Sequence, residues 1–89
     1  MVLLVTYDLK QPGRNYDALY EAIKTLGQWW HFLDSTWLVQ TAMTPDQLAA
    51  RLRLHMDAND YLLVVKVTRP YQGWLPKDAW EWVNSRIGF

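Results

Sequence analysis

The sequence predicts an α+β fold in which one antiparallel sheet of four strands is packed by helices. Two observations carry it. Four short runs rich in β-branched, aliphatic and aromatic residues (2–7, 29–33, 37–41 and 61–67) are interrupted by two stretches whose apolar residues recur at helical spacing. Between these runs lie clusters of Pro, Gly, Asn, Asp and Ser, the residues that turns require. At 89 residues and 51% hydrophobic content the chain predicts a single domain with one core.

Strand one, residues 2–7, stops at Asp8 and the turn cluster Lys10, Gln11, Pro12 and Gly13. Helix one follows from the spacing of Tyr16, Leu19, Tyr20, Ile23 and Leu26, with Asn15 as N-cap and Gly27 in the place of a left-handed C-terminal cap. Asp34, Ser35 and Thr36 are a hairpin turn between strands two and three. Thr44, Pro45 and Gln47 supply an N-cap, a proline in the first turn and a capping-box glutamine ahead of Leu48, Leu52 and Met56, so helix two begins there. Residues 57–60 are a polar turn, and 61–67 form strand four. Residues 69–76 hold two prolines and one glycine and read as a connector. Ala79, Trp80, Val83 and Ile87 then line one side of a terminal helix ending at Gly88.

The order βαββαβ over residues 1–68, followed by a Trp-rich connector and extra C-terminal helix over 69–89, is the split βαβ order of ferredoxin-like folds, with two helices on one face of the sheet. Both faces of the strands are apolar: Leu3, Val5 and Tyr7 oppose Val2, Leu4 and Thr6, and Leu62 and Val64 oppose Leu63, Val65 and Val67. Two helices cover one face only. The other face therefore calls for the terminal helix, a second subunit in a homodimer, or both.

Composition excludes several classes of function. Without cysteine the chain has no disulfides, thiol nucleophile or zinc-thiolate site, and His31 and His55 are its only imidazoles. Nine basic and nine acidic residues sum to zero, so any affinity for RNA or DNA must come from a local patch. No apolar run is long enough to span a membrane and the start lacks a basic leader, which gives the expectation of a soluble, cytoplasmic protein with no membrane partner. Serine-hydrolase, phosphate-loop and zinc-protease motifs are absent.

The remaining candidate site surrounds Asp8. Lys10, Gly13, Arg14 and Asn15 lead from it into the start of helix one, where free backbone N–H groups and the helix dipole favour a phosphate. A carboxylate beside a phosphate is what a magnesium ion binds. The plainer account makes Asp8 a turn residue and Arg14 a solvated charge. His31, Asp34 and Ser35 are further candidates, although packing among aromatics accounts for His31 and turn chemistry for Asp34 and Ser35. His55 suits the dipole at the end of helix two. Trp29, Trp30 and Trp37 could stack bases, yet with few neighbouring cations burial in a core or a dimer interface explains them better.

The stretches Leu4-Val5-Thr6-Tyr7-Asp8-Leu9, Pro12-Gly13, Asn15-Tyr16-Asp17-Ala18-Leu19, Trp29-Trp30-His31 and Leu33-Asp34-Ser35-Thr36-Trp37, with the late strand 61–68, resemble the small CRISPR-associated adaptation protein that is second of the core set. The resemblance is closest to the stand-alone SinR-like branch and extends more distantly to the virulence-associated protein D toxins. It implies a ferredoxin-like, Cas-two-like homodimer in which Asp8 faces its dyad mate and the pair holds Mg2+ or Mn2+ for phosphodiester cleavage, a nuclease acting on RNA or DNA. Lys10 and Arg14 are then phosphate contacts. Behind that reading stand two alternatives, first a non-catalytic adaptor and then a toxin-antitoxin component. A Trp-rich helix stands where many members carry a partner-binding strand, which makes it the expected surface for a protein partner.

Overall fold

The structure, a computed structural model, describes residues 1–11 and 15–87, and of Phe32 only the backbone. In chain order the elements are β1 (Val2–Asp8), α1 (Asp17–Lys24), β2 (Gln28–Leu33), β3 (Thr36–Gln40), α2 (Pro45–Arg53), β4 (Tyr61–Lys66) and α3 (Lys77–Arg86). The expected α+β class is observed. The four strands form one sheet in the order β2-β3-β1-β4, and every neighbouring pair is antiparallel. The expected turn at Pro12 and Gly13 and the helix end at Gly88 lie outside the described residues.

Helix starts follow local chemistry. The Thr44 hydroxyl accepts from the Gln47 backbone N–H at 3.3 Å while the Gln47 side chain accepts from the Thr44 N–H at 3.0 Å, so the capping box of α2 is complete. In α1 the N-cap is Tyr16 rather than Asn15. Asn15 nevertheless accepts from the Asp17 N–H at 2.8 Å, satisfying a first-turn donor from one position further out. Gly27 is not the cap of α1 either: the C-cap is Thr25, in right-handed helical geometry. The glycine is needed at the start of β2, where its φ is +151° and a Cβ would lie 2.2 Å from the Gln40 carbonyl oxygen.

Strand alternation gives the sheet two apolar faces, each with its own core. On the first, Leu3, Val5, Tyr7, Trp37 and Val39 pack against Leu19 and Ile23 of α1 and Leu48 and Leu52 of α2. On the second, Val2, Trp30 and Leu38 pack against Ala79 and Val83 of α3 and against Ile87. Burying a side chain such as Leu52 or Val83 is worth about 1.5–3 kcal/mol, so α3, which has no side-chain cap, is held mainly by its packing.

The second face is only partly covered. Tyr61, Leu63 and Val65 of β4, paired with Asp8, Thr6 and Leu4 of β1, are 69%, 57% and 40% exposed. Beneath the connector, a groove of about 320 Å³ runs over Leu4, Thr36 and Leu38 and is rimmed by Leu33 and by the fully exposed Trp74. No helix among the described residues is long and apolar enough to cross a membrane.

Candidate functional site

Asp8 ends β1 at the uncovered corner of the second face. Its cross-strand partner is Tyr61, and Thr6, Tyr61 and Leu63 line a shallow depression beside it. The carboxylate is solvent-exposed and meets the Lys10 ammonium at 2.6 Å. That ammonium also lies 5.8 Å from the centre of the Tyr61 ring. Its hydrogen bond to Asp8 and the attraction of that charge hold the Lys10 pKa above the ordinary lysine value. Of the residues expected around Asp8, the fold therefore brings Lys10 to it, while Arg14 lies outside the described residues.

The segment behind Asp8 is anchored by Asp60, the last residue of the polar turn 57–60. Asp60 is 4% exposed and accepts hydrogen bonds from the Tyr16 hydroxyl (2.9 and 2.8 Å), the Lys10 backbone N–H (2.7 Å) and the Asp57 backbone N–H (2.8 Å). It thereby ties the exit of β1 to the start of α1 and the approach to β4. A polar residue directly before the strongest strand was the only local sign of this role, since two of the partners are 44 and 50 positions away.

His31, Asp34 and Ser35 are not part of that corner. The His31 ring stacks on Trp37, with centroids 3.7 Å apart and planes 4° from parallel, on the first face of the sheet. Because the Thr36 carbonyl can only accept, the 3.0 Å contact makes His31 Nδ1 the donor. Asp34 is exposed in the two-residue turn, and the Ser35 carbonyl accepts from the Tyr7 N–H at 3.1 Å. His31 and Asp34 line a cleft of about 380 Å³ with Tyr7, Tyr20, Lys24, Trp29 and Trp37. His55 follows α2, as its sequence position implied.

Trp30 and Trp37 are buried, whereas Trp29 is 41% exposed. On α3 the Arg86 guanidinium lies 4.3 Å from the centre of the Trp82 ring, which is half-buried against the second core. Among the described residues no group of three or more His, Asp or Glu is arranged to hold a metal ion. No family model matches the chain, and neither a curated protein nor a solved structure matches it.

Proposed function

We propose that the chain works as a homodimer of the ferredoxin-like, Cas-two-like kind whose functional site is the seam between two copies, a metal-dependent nuclease centre built on paired Asp8 carboxylates. The strand order supports the fold assignment: β3 separates the parallel β1 and β2, β1 separates the parallel β3 and β4, and α1 and α2 make the two crossovers on one face. The observation that carries the functional reading is that Asp8 shares its face and its cross-strand pair with the exposed stripe Tyr61, Leu63 and Val65. A second copy covering that stripe brings its own Asp8 to the same corner. Two carboxylates with a phosphodiester oxygen and water suit Mg2+ or Mn2+. The cation's chemistry there is neutralisation of charge at the phosphate and activation of water. Lys10, already beside Asp8, would turn to the phosphate.

A second reading, a non-catalytic adaptor, draws on the ion pair itself: the Lys10 ammonium already meets the Asp8 carboxylate within one chain. One experiment separates the two. Purified protein is incubated with RNA and with DNA in Mg2+ or Mn2+, and its mass is measured by sedimentation. The nuclease reading expects a dimer and divalent-dependent cleavage that Asp8→Asn lowers by at least about a hundredfold. A dimer that cleaves neither polymer supports the adaptor, and a monomer, or cleavage indifferent to Asp8→Asn, overturns the seam.

A further inference from the structure

We propose that the pocket between the start of β1, the end of β4 and the end of α3 is a binding site for a phosphate group, separate from the Asp8 corner. It measures about 440 Å³, and its charged lining residues are Lys66, Arg69 and Arg86, with no acidic side chain lining it among the described residues. In a chain whose nine basic and nine acidic residues cancel, this leaves six basic residues against nine acidic ones everywhere else. The pocket is thus a locally positive site on a neutral molecule. It lies at the opposite end of the seven-residue β1 from Asp8, about 20 Å away at the rise of an extended strand.

The partners of these side chains leave their charge standing. Arg86 donates to the Trp82 carbonyl at 3.2 Å, to the Ser85 hydroxyl at 3.1 Å and to the Gln28 side-chain oxygen, and its guanidinium lies over the Trp82 ring. All of these groups are neutral, so they fix the cation at the end of α3 without cancelling it. Lys66 is exposed and makes no ion pair among the described residues, whereas Lys10, Lys24 and Lys77 each meet a carboxylate. Arg69 is exposed as well, its guanidinium 5.3 Å from the centre of the Tyr71 ring, a contact that keeps its charge. The carbonyl end of α3 contributes about half a negative charge, which three whole positive charges outweigh. Thr68, between Lys66 and Arg69 on the pocket wall, adds a hydroxyl donor. A terminal phosphate carries a charge of about −1.5 to −2 on three acceptor oxygens, so it can meet several such donors at once, which a carboxylate with one charge does less well.

This site needs neither Asp8 nor a second copy. The test is a nuclear magnetic resonance titration of the isotope-labelled full chain with inorganic phosphate, with chloride at equal ionic strength as the reference. EDTA excludes divalent ions, so the Asp8 centre takes no part and either site can fail alone. The amide signals of Val67, Thr68, Arg69 and Ile87 should shift saturably with phosphate, while those of Tyr7 and Asp8 stay in place. Lys66→Ala and Arg69→Ala should each weaken binding several-fold, and the double variant at least about tenfold. Both side chains are exposed, so the variants should keep the fold, which circular dichroism verifies. Titration with a short single-stranded oligonucleotide identifies the carrier of the phosphate. Tighter binding than phosphate at the same amides, with a salt dependence that the double variant lowers, assigns the pocket to a nucleic-acid backbone, and equal or weaker binding assigns it to a small phosphate-bearing ligand. No saturation up to tens of millimolar phosphate, shifts that chloride reproduces, or binding that the double variant leaves unchanged overturns the proposal.

Discussion

The Asp60 carboxylate is withdrawn from water and repaid by donors from three parts of the chain, the exit of β1, Tyr16 and the loop before β4. Asp60→Ala removes the acceptor and leaves those donors in a site too buried to rehydrate freely. The expected cost is about 3 kcal/mol, read as a lowered urea midpoint, with Asp60→Asn retaining part of the stability because its carbonyl still accepts. Tyr7 makes a different prediction. Burial is the main cause of its raised pKa, opposed by the hydrogen bond from Trp37. The folded chain thus holds the phenolic proton to a higher pH than the unfolded chain, whose value is near the usual 10.0. Its stabilising contribution is complete below that pH and is lost as pH rises through the folded value. Thermal unfolding followed into the alkaline range should show this decline, alongside a delayed tyrosinate absorbance, and Tyr7→Phe should remove the delay.

Among the helices, α2 is the one whose start is written locally, and it begins where Thr44, Pro45 and Gln47 place it. Thr44→Ala should cost about 1 kcal/mol in a denaturant titration, since the hydroxyl alone accepts the Gln47 N–H. The start of α1 was harder to read because Asn15 and Tyr16 divide the work: one accepts the Asp17 N–H while the other occupies the N-cap. Gly27 shows the same limit. A glycine after a helical run suggests a cap, yet its reason for being there is the Gln40 carbonyl across the β2–β3 ladder, thirteen residues on in the chain but adjacent in the sheet.

For the whole molecule the decisive feature is a sheet apolar on both faces with unequal cover. Helices α1 and α2 close the first face, and α3 closes the second around Val2, Trp30 and Leu38 while leaving Tyr61, Leu63 and Val65 at the surface. If a second copy covers this corner, Leu63→Lys should cost about 2 kcal/mol or more of association. Sedimentation should then show monomer at concentrations where the parent chain is dimeric. Leu63 is 57% exposed within one chain, so the unfolding of that monomer should be little changed.

The sequence by itself determined the strands and helices, the capping box of α2 and the two-faced apolar pattern of β1 and β4, because each follows from residues within one or two turns of one another. It also marked Asp8 and Lys10 as neighbours at a strand end, and they form an ion pair. The tertiary structure decided which residues share a site. His31 and Asp34, grouped with Asp8 as candidates, lie instead with Tyr7, Trp29 and Lys24 in the cleft of the first face, because β2 pairs with β3 and turns the His31 ring onto Trp37. Asp60 became an anchor only when the fold carried Tyr16 and Lys10 to it. Spacing along a chain reports which way a side chain points from its own element. Which groups it meets there depends on the pairing of elements distant in sequence, and no local pattern encodes that.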